Sequence, residues 1–259
     1  MVSRSVVLIT GGARRIGRVI ALDLAAAGWD VALSYRHSAG EAQDTLAALR
    51  RCGAQAEALH ADLSDEASCR ALVPAVLARF GRLDAVVNNA STFEYDNAET
   101  FSLNSMEHHW RANTAPAILL AQDLYRHLQA CDRPGCVVNL LDQKLWNPNP
   151  DYFSYTLSKA ALEAATRMLA LALAPRVRVS GVAPGLTLLS GTMSQREFDA
   201  AGQLNLLEHC PPPEDIAGAV RFLLTSPVTT GSTIVVDGGQ HLSRQPRDVM
   251  FLAREKGRH

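Results

Sequence analysis

Three residues with acid–base side chains lie near one another in the middle of the sequence. Tyr155 and Lys159 are four positions apart, a spacing that places two side chains on the same face of a helix. Asp142 lies thirteen residues before the tyrosine, at the end of the apolar segment 135–141. A free tyrosine is a reluctant catalyst because its pKa is about 10. A nearby ammonium stabilises the phenolate, so we expect Lys159 to lower the pKa of Tyr155 and enable proton transfer.

A tyrosine and a lysine at this spacing also occur on ordinary helix surfaces, so the surrounding elements decide the interpretation. The segment 158–174 is apolar around nearly its whole circumference, which predicts a helix buried against other elements. Tyr152 is a second tyrosine nearby, but it is seven residues from Lys159 and is not the expected partner. Tyr155 and Lys159 can therefore act in catalysis only if the fold places them at a cleft that a substrate can enter.

Short β-branched segments alternate with helix-length segments along the whole chain. The predicted strands are 6–10, 30–35, 56–63, 83–90, 135–141, 177–184 and 232–239. Continuous apolar strands separated by helices indicate a parallel sheet covered on both faces, with right-handed crossovers. No linker, repeat or low-complexity segment interrupts this pattern. We therefore predict one α/β domain over 1–259, a doubly wound Rossmann-like fold.

The composition is that of an ordinary globular protein and argues against several partners. The chain has 259 residues, of which 47% are hydrophobic, and a net charge of -1, which gives no indication of a nucleic-acid or membrane partner. Its five cysteines are odd in number and contain no CxxC pair, which favours free thiols in a reducing compartment. The apolar run 6–9 is too short for a signal peptide. We expect a cytoplasmic protein without a metal site, since His108 and His109 are adjacent and point to different sides.

The sequence TGGARRIG, residues 10–17, lies between the first predicted strand and the first predicted helix. Gly11 and Gly17 allow a tight turn and close packing, so that backbone N–H groups and the helix N-terminus can bind a pyrophosphate. A glycine-rich turn alone is weak support, but its position at the start of a βαβ unit favours a dinucleotide site.

The end of the second predicted strand indicates which dinucleotide binds. An NAD-binding protein usually has a carboxylate there, for the ribose 2′-hydroxyl. This chain has Arg36 and no acid, and Asp30 lies at the opposite end of the strand. Arg36, together with Arg14, suits a 2′-phosphate, which predicts NADPH. Arg36 as an ordinary solvated arginine is the alternative.

Taken together, these motifs resemble those of the short-chain dehydrogenases/reductases. The resemblance rests on TGGARRIG, HADLS (60–64), NNAS (88–91), Asn113, YTLSK (155–159) and VAPG (182–185), in this order, and covers residues 5 to about 240. It implies a seven-stranded parallel sheet and hydride transfer from a nicotinamide. It also implies that Asn113 holds a relay water beside Lys159, that Lys159 also binds the nicotinamide ribose, and that Asp62 binds the adenine.

The resemblance also assigns the cofactor contacts. They are Gly11, Arg14, Arg15, Ile16, Gly17, Tyr35, Arg36, His37, Ser38, Asp62, Leu63, Asn89, Ala90, Ser91, Tyr155, Lys159, Pro184, Gly185 and Thr187.

Two departures from the family pattern carry information about the substrate. Asp142 stands where the family usually has a serine, and Arg15 replaces the middle glycine of the phosphate loop. Both departures resemble the pteridine reductase branch, which includes bacterial dihydromonapterin reductases. That resemblance implies a pterin bound by Arg15, Ser91, Phe93, Asp142 and Tyr155, with Phe93 and the nicotinamide enclosing the flat ring. A loop acid and a core-filling phenylalanine are the ordinary alternatives for Asp142 and Phe93.

Two segments lie outside the alternating pattern. The insertion 186–216 suits a loop with one short helix, or a lid over a cleft. The tail 240–259 suits a disordered end, although its apolar residues 249–252 also suit docking on a neighbouring subunit. The family resemblance implies a homodimer or homotetramer.

Two other functions remain open on the sequence alone. One is a short-chain reductase of a different carbonyl substrate, such as an acyl thioester ketone or a sugar; Asp142 and Arg15 argue against it. The other is an NADPH-binding sensor without catalysis. The presence of Tyr155, Lys159 and Asn113 argues against a sensor, because binding alone does not require all three.

Overall fold

The computed structural model describes residues 4–190 and 193–256, with side chains as far as Ala253. Seven parallel strands form one sheet in the order β3-β2-β1-β4-β5-β6-β7. The strands are β1 (Val6–Ile9), β2 (Asp30–Tyr35), β3 (Ala56–His60), β4 (Ala85–Asn88), β5 (Gly135–Leu140), β6 (Val177–Pro184) and β7 (Thr233–Val236). All seven predicted strands are present, and the predicted doubly wound fold is confirmed.

Several strands end earlier than the sequence pattern suggests. β3 stops at His60, whereas the predicted segment continues to 63. The Asp62 carboxylate accepts hydrogen bonds from the backbone N–H and the hydroxyl of Ser64, at 3.0 and 2.7 Å. These local bonds favour a turn over a further pair of ladder hydrogen bonds.

Helices cover both faces of the sheet. They are α1 (Arg15–Ala26), α2 (Ala39–Arg51), α3 (Glu66–Arg70), α4 (Leu72–Phe80), α5 (Leu103–His109), α6 (Ala115–Ala130), α7 (Phe153–Leu173), α8 (Gln195–Gly202), α9 (Pro213–Thr225) and α10 (Val249–Lys256). Successive strand side chains point to opposite faces, so Val7 and Ile9 of β1 pack with α1, α2 and α9. Val6 and Leu8 pack in the other layer, with α3, α4, α6 and α7.

The direction of the chain across the sheet reverses at β1. From β1 it runs outward through β2 and β3, and then returns to place β4 on the other side of β1. A crevice forms at such a point, outside the carboxyl ends of the strands, and ligands bind there in open α/β sheets. The loops after β1, β4 and β5 carry Gly11, Asn89 and Asp142 to this edge.

The C-terminal tail folds back onto its own chain. Its helix α10 packs on α8 of the insertion through Val249, Ala253 and Ala201. The alternative of a disordered end is therefore wrong for 249–252, because these residues are helical and Val249 and Met250 are buried within the subunit. Positions 191 and 192 of the predicted insertion and 257–259 of the predicted tail lie outside the described residues, as do 1–3.

Two features of the described residues bear on the predicted partners. No helix within it combines the length and the hydropathy that crossing a membrane requires. Within residues 4–190 and 193–256, no three His, Cys, Asp or Glu side chains gather in a way that could hold a metal ion. His109 is fully buried and bonds the carbonyl of Ser105 through Nδ1, at 2.9 Å, which is a structural role.

Candidate active site

A cleft of about 910 Å³ lies at the carboxyl edge of the sheet. Residues predicted to contact cofactor or substrate line it: Gly11, Arg14, Arg15, Ile16, Gly17, Tyr35, Arg36, His37, Ser38, Asp62, Leu63, Asn89, Ala90, Ser91, Phe93, Asp142, Tyr155, Gly185 and Thr187. Asn113, Lys159 and Pro184 do not line it. The fold therefore brings together side chains from most of the predicted motifs, and the cleft is large enough for a dinucleotide with a second ligand.

The phosphate loop has the backbone geometry that its glycines predict. Gly11 has φ +62, a conformation that favours glycine. A Cβ on Gly17 would lie 2.3 Å from the carbonyl oxygen of Gly11, so no side chain fits there. Arg15, which replaces a glycine of the family pattern, also has φ +53, and its guanidinium donates to the carbonyl of Leu189 at 2.9 Å. The Arg15 side chain thus connects the start of α1 to the predicted insertion 186–216.

The loop is clamped to the end of β4. The Nδ2 of Asn89 donates to the carbonyls of Thr10 and Gly11, at 3.0 and 3.2 Å. The Thr10 hydroxyl in turn accepts the backbone N–H groups of Asn89 and Ala90, both at 3.0 Å. These reciprocal bonds fix the turn that presents the N-terminal N–H groups of α1 to the cleft.

Arg36 lies at the carboxyl end of β2, as the sequence predicts. Its Nε is 3.2 Å from a carboxylate oxygen of Asp62, and both side chains are partly exposed. Hydrogen bonding from the Ser64 hydroxyl, with help from Arg36, lowers the pKa of Asp62 even though burial opposes the shift. Asp30 lies at the other end of the strand, where Arg4 pairs with it at 3.2 Å. The position that would hold a carboxylate in an NAD site therefore holds a cation.

The N-terminus of α7 is fixed by a buried aspartate. Asp96 accepts the backbone N–H of Ser154 at 2.9 Å and also accepts the Ser154 hydroxyl. A carboxylate in this position satisfies an unpaired N–H group and interacts favourably with the helix dipole. Tyr155 follows immediately, so its position depends on this cap.

Asn113 lies behind the cleft, in a π turn (Trp110–Thr114) between α5 and α6. Its Nδ2 donates to the carbonyl of Thr92 and to the hydroxyl of Ser158, both at 3.0 Å. Its Oδ1 accepts the backbone N–H of Thr92 at 2.7 Å and the Ser91 hydroxyl at 3.2 Å. All four hydrogen-bonding positions of the side chain are thus used by the protein. The side chain ties the loop after β4 to α7.

Tyr155 and Asp142 form a direct hydrogen bond. The tyrosine hydroxyl donates to Oδ2 of Asp142 at 2.8 Å, and Oδ1 of the same carboxylate accepts the backbone N–H of Lys144 at 2.8 Å. The ammonium of Lys159 donates to the carbonyl of Leu140 at 2.7 Å and lies 5.8 Å from the Tyr155 ring centroid. The acid, the phenol and the ammonium are therefore assembled at one place.

Burial is the largest cause of the pKa shifts of Asp142, Tyr155 and Lys159. Burial lowers the pKa of Lys159 to about 8, although the Asp142 carboxylate opposes this shift. Burial also raises the pKa of Asp142, against hydrogen bonds from the Lys144 N–H and from Tyr155. Burial and then the charge of Asp142 raise the pKa of Tyr155 well above its ordinary value. The expectation that Lys159 lowers this pKa is wrong here, because a buried carboxylate is bonded directly to the phenol.

Phe93 is 40% exposed and stacks on a tyrosine instead of filling the core. Its ring centroid lies 4.0 Å from that of Tyr152, with an interplanar angle of 17°. The ring of Tyr155 meets Phe93 edge to face at 4.7 Å. Tyr152 has φ +55, an unusual conformation for a bulky residue, and such strain is common at functional sites. Although Tyr152 is not the partner of Lys159, it lines the cleft.

Sequence reasoning missed further residues that line the cleft. Lys144 is the only cation in the segment 135–150, and its position two residues after Asp142 could have drawn attention to it. Asp248 and Met250 also line the cleft, but they come from the C-terminal tail. No local pattern near them indicates such a location, because it depends on the docking of α10.

Comparison with known proteins agrees with this geometry. Residues 11–241 match a family model described as enoyl-(acyl carrier protein) reductase. The structure of FolM alternative dihydrofolate reductase 1 from Brucella canis, solved with NADP, is 38% identical, with a TM-score of 0.88 over 96% of this chain and 98% of that one. The chain belongs to the short-chain dehydrogenase/reductase family. It is therefore an oxidoreductase by family, as its resemblance predicted.

Two further members of the family show how widely its substrates vary. Pteridine reductase 1 from Leishmania tarentolae is 32% identical over 280 residues, covering 92% of this chain and 97% of that protein. The 3-oxoacyl-[acyl-carrier-protein] reductase from Synechocystis is 31% identical over 241 residues, covering 90% and 96%. Because identities to proteins with different substrates are nearly equal, the substrate must be argued from the site.

Proposed function

We propose that this protein reduces a dihydropterin to a tetrahydropterin with NADPH, dihydromonapterin and dihydrobiopterin being the candidate substrates. The observation that carries the proposal is the hydrogen bond of 2.8 Å between Tyr155 and Asp142. A neutral phenol bonded to a buried carboxyl group can relay a proton to a ring nitrogen. A serine hydroxyl at position 142 would offer no such second acid.

The residues present fit NADPH. The glycine turn at 11–17 leaves room for the pyrophosphate, since a side chain at Gly17 would collide with the main chain. Arg36 and Arg14 both line the cleft and suit the 2′-phosphate. Asp62, already bonded to Arg36, borders the adenine side. NADPH supplies the hydride that reduces the substrate carbon.

Asp142 and Tyr155 handle the proton that accompanies the hydride. Reduction of a C=N bond forms one C–H and one N–H bond as the π bond is lost, so the nitrogen needs one proton. In this step the protonated Asp142 becomes the donor of the pair. The Tyr155 hydroxyl turns to the substrate, gives its proton to that nitrogen and accepts the Asp142 proton at its oxygen. The raised pKa of Asp142 increases the fraction of the carboxyl that carries this proton. Lys159 stabilises the negative charge during the transfer.

The walls of the cleft suit a flat ring. Phe93, exposed on the side away from its stacking partner, can hold the pterin against the nicotinamide. Tyr152 supports Phe93 from behind. The guanidinium of Arg15, which already reaches the insertion at Leu189, can meet both the pyrophosphate and the substrate's oxo group. Ser91 also lines the cleft and is the other polar residue that the resemblance assigns to the pterin.

The relatives named as a pteridine reductase and an alternative dihydrofolate reductase support a pterin substrate. The relative named as a 3-oxoacyl-[acyl-carrier-protein] reductase keeps a carbonyl substrate as the second candidate. Asp142 favours the pterin, because its carboxyl group can accept hydrogen bonds from the N–H groups of a pterin ring, which a simple ketone lacks.

The test is NADPH oxidation by the purified protein with a set of dihydropterins and, in parallel, a set of simple ketones and an acyl thioester ketone. Turnover of dihydropterins with little on the ketones supports the proposal. Ketone turnover without pterin turnover refutes it in favour of the carbonyl reductase. NADPH binding without turnover of either set would favour the sensor.

We also propose that the protein is a homodimer or homotetramer. Leu157, Met168 and Leu171 of α7 are 42%, 67% and 83% exposed, so large apolar side chains lie on the side of this helix that the subunit leaves uncovered. A partner subunit would cover them. Sedimentation or light scattering of the purified protein tests the number of subunits, and a monomer would contradict the proposal.

A further inference from the structure

Lys144 is a buried cation that faces the cleft beside the proposed catalytic group. It is 3% exposed and lines the cleft, two residues after Asp142. Its backbone N–H holds the Asp142 carboxylate, while its ammonium lies 3.1 Å from a carboxylate oxygen of Asp248. The ammonium also lies 5.3 Å from the ring centroid of Tyr152, the residue on which Phe93 stacks.

The hydrogen bonds of this ammonium are incomplete within the protein. An ammonium has three N–H donors, and over residues 4–190 and 193–256 the side chain of Lys144 has one acceptor, Asp248. A buried charge with unused donors is unfavourable unless another group supplies acceptors. Since Lys144 faces the cleft, a bound ligand can supply them.

Asp248 is held in place by the C-terminal tail. Arg247 forms a two-pronged ion pair with Asp151, with distances of 2.8 and 2.9 Å, and Asp151 is 2% exposed. The backbone N–H of Asp248 donates to the same Asp151 carboxylate at 2.7 Å. The Asp248 carboxylate also accepts the N–H of Met250 at 3.1 Å, near the start of α10. The position of Asp248 next to Lys144 is therefore fixed by two independent sets of bonds.

We propose that Lys144 binds the hydroxyl groups of the substrate's side chain, and that Asp248 is the positioning residue that holds its ammonium for this purpose. This inference rests on the proposed pterin reduction and names the class of side chain: short, neutral and hydroxylated. A hydroxyl group both donates and accepts, so it matches a carboxylate and an ammonium 3.1 Å apart. Phe93, Tyr152 and Lys144 line the same cleft, so a substituent of a ring held on Phe93 can extend along the cleft wall to this pair.

The experiment compares two substrates in Lys144→Met, which keeps the length of the side chain and removes its charge. The substrates are dihydrobiopterin, which has a hydroxylated side chain, and a dihydropterin with a methyl group in its place. We expect the ratio of kcat/KM for the first over the second to fall about tenfold or more, the usual effect of losing a hydrogen bond to a charged group. The loss should lie mainly in KM, and Lys144→Arg should restore part of the ratio.

Arg70→Met is the matched control. It removes a partly buried cation whose ion pair with Asp123, at 2.9 Å, lies outside both the cleft and the tail, so the substrate ratio should stay at the wild-type value. The double variant Lys144→Met/Asp248→Asn removes both buried charges and should show the same loss of ratio, which covers the case in which the single variant folds poorly.

Two results would overturn the inference. One is an equal loss for both substrates in Lys144→Met; the other is a change of ratio in Arg70→Met as large as in Lys144→Met, which would show that losing an ion pair anywhere in the protein has this effect. Wild-type protein that turns over neither dihydropterin would refute the proposed function itself, and this inference with it. The wild-type assay therefore distinguishes the two failures.

Discussion

Replacing Lys159 by methionine should stabilise the protein while removing its activity. Burial lowers the pKa of Lys159 from an ordinary value of 10.5 to about 8. A difference of about 2.5 between the unfolded and folded pKa values corresponds to a cost of about 3 kcal/mol for keeping the lysine charged in the folded state. The side chain is 3% exposed, so solvent screens little of this cost.

The pH dependence gives the sharper measurement. A folded pKa below the unfolded one means that the unfolded chain binds more protons between the two values, so the stability of the wild type rises with pH in that range. Between about pH 7 and about pH 9.5, wild-type stability should rise by about 2 kcal/mol relative to Lys159→Met. Below about pH 7 the difference should be constant, because both states of the wild type then carry the proton.

Urea unfolding of both proteins across this pH range measures the effect. Groups other than Lys159 contribute alike to both proteins and cancel in the comparison. Tyr155→Phe is the control: it loses the phenol and keeps the lysine, so its pH profile should follow the wild type. Parallel profiles for the wild type and Lys159→Met would refute the reasoning, because they would show that folding does not lower the pKa of Lys159.

Three further substitutions test the assigned roles. Tyr155→Phe should lower kcat by about 100-fold or more, as expected for removing a general acid, and should leave the NADPH dissociation constant unchanged in a fluorescence titration. Asp142→Ser should reduce kcat/KM for a dihydropterin by about 100-fold and affect a simple ketone much less; equal losses would contradict the pterin assignment. Arg36→Glu should weaken NADPH binding roughly tenfold or more while changing NADH little, with Arg36→Met as the uncharged control; an unchanged preference for NADPH would exclude Arg36 from the phosphate site.

Much of the fold could be predicted from the sequence, because its signals are local. A strand buried on both faces is mostly apolar, and residues 6–9, 85–87 and 136–138 show this directly. The glycine turn at 11–17 is equally local, since the main chain itself forbids a side chain at Gly17. The spacing of Tyr155 and Lys159 on a helix likewise follows from helix geometry. Strand ends were less certain, since the turn at Asp62 depends on its own side-chain bonds.

The protonation of the site could not be predicted in this way. Residue types suggested that Lys159 would make Tyr155 more acidic, but the pKa of Tyr155 is raised. A pKa depends on burial and on which charge lies nearest, and both are properties of the assembled structure. Burial of the phenol raises its pKa most, and the Asp142 carboxylate bonded to it adds to the shift.

The sequence by itself determined the sheet, the dinucleotide loop, the helix with its Tyr–Lys pair and the two departures at Arg15 and Asp142. Each of these is encoded within a few adjacent residues, where backbone geometry and side-chain periodicity act. Only the tertiary structure decided that the tail docks on its own chain and brings Asp248 to Lys144. That contact joins positions far apart in the chain, and it depends on the packing of α10 against α8, which no local pattern of residues specifies.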